Sequence, residues 1–406
     1  MPSVIRGVSR AACAVLVAGL ATACVGGSAN VDRSTPSTPS DGSSSPGTGD
    51  PSASTTVIGP RTFTVVMSGD VLLHEGLWAT ASNDAQREGR KGMDFRPILA
   101  GMRPDIAGAD LAICHLETPL GPKGGPFSGY PVFAVPPAIV PALVWEGYDA
   151  CTTASNHTLD QGFDGLQRTL RLLDAGGLAH AGSAVTKADS MQPLMLDAAG
   201  VRVALLSETY GTNGIPIPAD EPWSVPIIDV PTIEQRAQLA RQEGAQVVIV
   251  ALHWGDEYVH EPSAYQTDVA RQLAKDDDID LVYGHHAHVV QPFDRIHRTW
   301  VAYGLGNAIA QQGTDMIGVW EGITARFTFT ERADGRFDVT KTEFIPTFIS
   351  GYDPANPKMR WLNIPDSLDN PNIAGDEKTQ MRAALARIKD DVNLLHARAE
   401  GLVMGR

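Results

Sequence analysis

Cysteine is scarce, with four in 406 residues, and two of them, Cys13 and Cys24, lie in the first 24 positions. Cys114 and Cys151 remain, each near the end of a strand-like apolar run, and they read as inert core thiols. No spacing rule calls for a disulfide between them, although a location outside the cytoplasm would permit one. The same shortage argues against a structural zinc site built from thiolates. Positive charge is also short: 32 Lys and Arg stand against 47 Asp and Glu, a net −15. So acidic a surface speaks against nucleic acid as the main partner. It does not exclude an anionic substrate, because a bound cation can reverse the local field. The one apolar run near the N-terminus, Ala11 to Leu20, is too short to span a bilayer as a stable helix, and no second such run follows. Internal repeats are absent, and so is the GxxxxGK[ST] phosphate loop, so nothing marks the chain as an ATP-driven ligase on its own. What is present is globular composition, 43% hydrophobic and 19% charged, in a chain long enough for one large domain or two ordinary ones.

The first 60 residues read as address and tether. Arg6 and Arg10 precede the short apolar run, which ends in Leu20-Ala21-Thr22-Ala23-Cys24. Small residues followed directly by Cys resemble a bacterial lipoprotein cleavage site, with residues 1–23 removed and Cys24 lipidated. The alternative is an ordinary secretory signal cut after Ala23, which would leave the protein secreted. From Ser34 to Thr56, 20 of 23 residues are Ser, Thr, Pro or Gly, so residues 24–60 read as a flexible tether that cannot bury a core. The expectation is an extracytoplasmic domain held to the membrane by a lipid. It starts near Arg61 and runs to about residue 350, with residues 351–406 an extension closed by a helix over Glu377–Leu402.

Chemistry-bearing residues follow apolar strands along that domain. Thr62–Met67 leads to Ser68-Gly69-Asp70, with His74 four residues on. Asp110–Cys114 leads to His115-Leu116-Glu117, and Asp149–Thr153 to Ala154-Ser155-Asn156-His157. Gln246–Leu252 delivers His253-Trp254-Gly255-Asp256-Glu257, and Ile279–Tyr283 delivers Gly284-His285-His286-Ala287-His288. Three of the chain's eleven histidines sit in those last four positions, which points to a metal more than to a surface loop. Alone, Gly69-Asp70 would mark a turn and Asn156 a helix cap. Together, at strand ends that converge on one edge of a sheet, carboxylates, an amide and imidazoles suit Mn, Fe, Zn or Mg. Two such ions about 3.5–4 Å apart can clamp a tetrahedral or phosphoryl transition state. Helices are expected over Pro137–Glu146, around Phe163–Leu173, over Pro231–Gln242 and after Pro262. The strands beyond residue 293 look like a second, more antiparallel sheet. The Pro- and Gly-rich loop Pro119–Pro137 is a candidate substrate-facing segment.

These blocks resemble the CapA family of bacterial capsule or poly-γ-glutamate synthesis proteins. The resemblance is carried by Ser68-Gly69-Asp70, Leu116-Glu117, Ala154 to Gly162, His253-Trp254-Gly255 with Glu257, Gly284 to Pro292, and Gly304-Leu305-Gly306-Asn307. It implies an α/β fold, a calcineurin-like metallophosphoesterase double β-sheet sandwich flanked by helices. It further implies Asp70, Glu117, Asn156, His253, His286 and His288 as ligands of two divalent metals, and His157 as the residue facing the leaving group. His74, His115 and His285 are possible additional ligands, and Asn307 is a loop-shaping or supporting residue. Three positions depart from the usual pattern: His115 stands where the family usually has Asn, Ser155 where it has Asn, and Ala287 where it has Pro. The resemblance implies a cell-envelope role in making, anchoring or releasing an anionic polymer, as a metal-dependent hydrolase or transferase of the phosphoesterase or amidase type. The alternative is a non-catalytic module that grips the polymer and recruits a membrane synthase.

Overall fold

Every residue of the run Val247–His253 is buried, as expected of a strand covered on both faces. The same physics, applied along the chain, builds fifteen strands in the computed structural model, which describes residues 59–406 apart from Thr314 and Tyr352. The signal segment, Cys24 and most of the tether lie outside the described residues. The strands are β1 (Thr62–Val71), β2 (Leu111–Leu116), β3 (Ala150–Thr152), β4 (Ala179–Ala181), β5 (Leu194–Ala198), β6 (Val201–Thr209), β7 (Val247–His253) and β8 (Leu281–His285). They continue with β9 (Phe293–Ile296), β10 (Thr299–Ala302), β11 (Asn307–Ile309), β12 (Glu321–Glu331), β13 (Phe337–Ile349), β14 (Trp361–Asn363) and β15 (Leu402–Met404).

Two sheets result. The larger runs β14-β13-β12-β1-β2-β3-β4, with β11 beside β1 and β15 beside β13; the smaller runs β5-β6-β7-β8-β10-β9. Side-chain alternation sorts the layers. Phe63, Val65 and Met67 of β1 share one core with Val203, Leu205, Val247 and Ile249 of β6 and β7, so the sheets pack face to face. Val66 points the other way, into a core with Leu143 and Leu166 from the helices Ile139–Glu146 and Gly162–Gly176. Val248 and Val250 likewise meet Ile233 and Val269 from the helices Val230–Gln242 and Ala264–Leu273. The order is helices, sheet, sheet, helices. Among the described residues no helix is long and apolar enough to cross a membrane.

Three expectations need correction. The parallel strands do not form one sheet followed by an antiparallel one. β1–β3 and β6–β8 belong to different sheets, and the later strands divide between them, β12 pairing antiparallel with β1 and β10 parallel with β8. Periodicity reports which face a strand buries and not which neighbour it takes. The closing helix spans Gly375–Asp391; a short 3₁₀ turn then leads to β15, which pairs with β13. Cys114 and Cys151 are joined in a disulfide and are not free thiols. They sit opposite each other in the parallel pair β2–β3, with Cα atoms 4.4 Å apart.

The sandwich brings the C-terminal ends of β1, β2 and β3 in one sheet beside those of β7 and β8 in the other. Gly69 allows the closest approach. A Cβ there would collide with the Gly306 carbonyl, and the bare backbone lets the Asp70 N–H donate to Gly306 O at 2.9 Å.

Candidate metal centre

Asp70 is the hub, at 0% exposure. Its Oδ1 lies 2.7 Å from His285 Nδ1, and its Oδ2 lies 3.0 Å from His288 Nδ1. Ligand-type atoms of Asp70, His115 and His285 fall within 4.8 Å of one another, as do those of Asp70, Glu117 and His288, and those of Glu257, His286 and His288. The loop after β8 makes this possible at a local cost: His286 and His288 both adopt left-handed backbone, with φ of 90° and 56°. Such conformations are strained for residues with a Cβ and persist where the surroundings demand them. Asn307 helps to hold His288: its Oδ1 is 3.1 Å from His288 Nδ1, and its Nδ2 donates to Val319 O at 2.8 Å.

A second line of contacts crosses between the sheets. Thr152 Oγ1 lies 2.8 Å from His115 Nδ1, His115 Nε2 lies 3.0 Å from His253 Nδ1, and His253 Nε2 lies 2.9 Å from Asn156 Oδ1. Asn156 Nδ2 then donates to Asn213 Oδ1 at 3.2 Å. With neutral rings, all these bonds form together when each donor points from Thr152 towards Asn213. His115 also stacks on His285, with ring centroids 4.0 Å apart.

Burial drives the imidazoles towards the neutral, ligating form. His115 and His253 are pushed well below their ordinary value, and His286 down to about 3. His288 behaves oppositely: burial is outweighed by the Glu117 and Asp70 carboxylates, which hold it up at about 9. Burial also opposes the Asp70 charge, yet hydrogen bonds from His285 and His288 bring Asp70 well below the usual carboxylate range. Glu117 is pushed up to about 7 by burial.

Several buried ligand-type atoms have no hydrogen-bond partner: Glu117 Oε1 and Oε2, His285 Nε2 and His286 Nδ1. A buried polar group left unpaired costs roughly 1–3 kcal/mol, more when it is charged. A divalent cation is the partner this donor set fits, since it offers carboxylate and amide oxygens with imidazole nitrogens. Cys114 and Cys151, the cysteines among the described residues, are bonded to each other and offer no thiolate.

Beside the cluster, His157 Nδ1 lies 2.7 Å from Asp160 Oδ2, which also accepts the Phe133 N–H at 2.7 Å. Asp160 thereby fixes the ring so that Nδ1 carries the proton and Nε2 is left free. His157, Asn156 and His288 line a cleft of about 600 Å³, walled by Tyr130 to Phe133 of the Pro119–Pro137 loop, by Glu257 and Tyr258, and by Gln311 and Gln312.

Of the residues singled out in the sequence, Asp70, Glu117, His115, His285, His286 and His288 come together in the three groups, and His253 and Asn156 join them through the hydrogen-bonded line. His74 does not join. It stands in the cleft wall, edge-on to Phe133, where its Nδ1 accepts the Gln311 N–H at 3.2 Å, and burial lowers it to about 4. Four contributors were not assigned from the sequence: Asp160, Glu257, Thr152 and Tyr210, whose ring lies over His286 at 4.6 Å. Asp160 follows His157 by three residues and Glu257 follows His253 by four, so both were within reach of the motifs. Nothing in the chain marks Thr152 or Tyr210.

The chain matches the family described as "Bacterial capsule synthesis protein PGA_cap" over residues 64–312. It is 30% identical over 177 residues to the capsule biosynthesis protein CapA of Bacillus anthracis, covering 43% of each chain. It is 28% identical over 204 residues to the PGA biosynthesis protein CapA of Bacillus subtilis, covering 48% of this chain and 50% of that one. It thus spans about half the length of the curated relatives it matches. Among solved structures it is similar to the calcineurin-like phosphoesterase YfkN from Bacillus subtilis, with 15% identity and a TM-score of 0.41, covering 81% of this chain and 99% of that one. With the family match covering more than half of its residues, the chain belongs to the bacterial capsule synthesis protein family PGA_cap.

Proposed function

We propose that the protein is a metal-dependent hydrolase or transferase of the cell envelope that acts on a linkage in the making, anchoring or release of a capsule or poly-γ-glutamate-type polymer. One observation carries the reading. Unpartnered buried ligand-type atoms of Glu117, His285 and His286 belong to groups that reach an open cleft through His288 and Glu257, and that cleft also holds His157, a histidine oriented by a carboxylate. In this reading Asp70, Glu117, Asn156, His253, His286 and His288 hold two divalent cations, with His115, His285 and Glu257 at their margin. Such ions supply Lewis-acid polarisation and make water nucleophilic near neutral pH.

The chain's own residues do the rest. Asp160 accepts a hydrogen bond from His157 Nδ1–H and would stabilise the doubly protonated ring, from which Nε2–H would deliver a proton to a leaving group in the cleft. Phe133 packs edge-on against that ring at 4.8 Å and limits its rotation. Asn156 couples the histidine line to the cleft through its amide. We further propose that residues 1–23 are removed and that Cys24 carries the lipid that holds residues 61–406 at the membrane.

Turnover of phosphodiester and γ-glutamyl amide probes by the purified protein tests the reading. His157→Ala is expected to lower kcat by about 10²–10⁴-fold with little change in KM, and Asp70→Ala to abolish turnover. Unchanged turnover of every wild-type substrate in both variants would refute the mechanism.

A further inference from the structure

The cleft that holds His157 opens beside the cluster and shares His288 and Glu257 with it. None of its described lining residues is Lys or Arg. Its carboxylates are Asp160, already engaged by His157 and the Phe133 N–H, and Glu257. The histidines His74, His157 and His288 and several apolar side chains also line it, and among its other groups Tyr130, 77% exposed, and Tyr258, 41% exposed, stand with the amides of Gln311, Gln312 and Asn213. The whole chain carries a net −15.

A polymer with a carboxylate on every unit would enter that cleft against the field of the protein and of Glu257. It would find no guanidinium or ammonium among the lining residues to replace the water it loses, and the imidazolium of His288 already faces the carboxylates of Asp70 and Glu117. Cations at the floor reverse the field only locally, so the reacting group can be anionic while its neighbours along the walls cannot gain from charge. Exposed tyrosine rings and side-chain amides have a different use. The rings offer flat apolar faces with a polar edge, and the amides offer paired donors and acceptors. That combination suits the C–H faces and hydroxyls of a sugar, and the volume of about 600 Å³ is of the size that small-molecule sites take.

We infer that the cleft binds a neutral saccharide unit flanking the scissile linkage, so that the protein works where the polymer joins a glycan, at anchoring or release. The inference rests on the proposed function for its chemistry. It rests on the cleft walls alone for its ligand.

The test is calorimetric binding of neutral hexasaccharides of glucose and of N-acetylglucosamine, beside hexa-γ-glutamate, to the purified protein with and without added manganese. At least one neutral hexasaccharide binds, with the same affinity at low and high salt. Tyr130→Ala and Tyr258→Ala each weaken it about three- to tenfold, the size of one lost aromatic contact. Both side chains are exposed enough for the variants to fold, which circular dichroism checks. Saccharide binding persists in metal-free protein, so it stands even where turnover fails, and a failure of the hydrolase reading is seen separately. Binding of hexa-γ-glutamate that weakens steeply with salt, with no saccharide bound, would overturn the inference. So would binding of neither, or saccharide binding indifferent to both tyrosines.

Discussion

In the proposed mechanism the chemistry turns on His157, and its partner Asp160 sets how. Asp160 Oδ2 holds both His157 Nδ1 and the Phe133 N–H at 2.7 Å, so one carboxylate fixes the ring and the loop that covers it. Asp160→Asn keeps the shape and removes the charge that stabilises a protonated ring. Its kcat is expected to fall by about 10–10³-fold with KM nearly constant, while circular dichroism stays native. A loss confined to KM would show that Asp160 shapes the cleft only. The line from Thr152 through His115 to His253 makes a second residue-scale prediction. Without metal the described bonds require Nε2–H on His253, whereas a cation bound at that atom requires Nδ1–H on both His253 and His115. Nitrogen-15 spectra taken during a zinc titration are expected to show both rings change tautomer together. His253 unchanged at saturation would remove it from the ligand set.

At the scale of elements, strands were the legible part. The apolar runs that became β1, β2, β3, β7 and β8 could be read from pattern, as could the fact that Asp70, Glu117, Asn156, His253 and His288 lie at or just beyond their C-terminal ends. Pairing was not legible, because a both-faces-buried strand carries the same residues whichever neighbour it takes. That is why β1 and β7 turn out to lie in different sheets, and why the ends of two sheets converge where one had been expected. His74 misled for a similar reason: proximity to Asp70 in sequence did not bring it to the cluster, because β1 runs on to Val71 and carries it into the cleft wall. The disulfide depended on register, which places Cys114 opposite Cys151 across β2–β3. It closes a loop with a sequence separation of 37. Its removal in Cys114→Ala/Cys151→Ala is expected to cost about 3–4 kcal/mol on the loop-entropy account, read by urea unfolding. An unchanged midpoint would mean that packing alone holds the two strands.

At the scale of the molecule, buried charge links stability to pH. Glu146 ends the helix Ile139–Glu146 with both carboxylate oxygens buried and unpartnered, and burial raises it from 4.5 to about 9. Its folded pKa lies above its unfolded value, so its contribution is fully present below about pH 4.5 and is lost as pH rises towards 9. Glu146→Gln removes that loss. The variant is expected to match wild type near pH 5 and to exceed it by about 1–3 kcal/mol at pH 8. A difference that is the same at both pH values would contradict the linkage.

The central claim is that the two sheets meet to hold metal, and metal content tests it most directly. Residues 57–406, purified without a histidine tag, are analysed by elemental mass spectrometry beside His286→Ala/His288→Ala. The account predicts near-stoichiometric transition metal in the wild type, lost in the variant. A wild-type protein that stays empty after incubation with manganese, zinc and iron would contradict it.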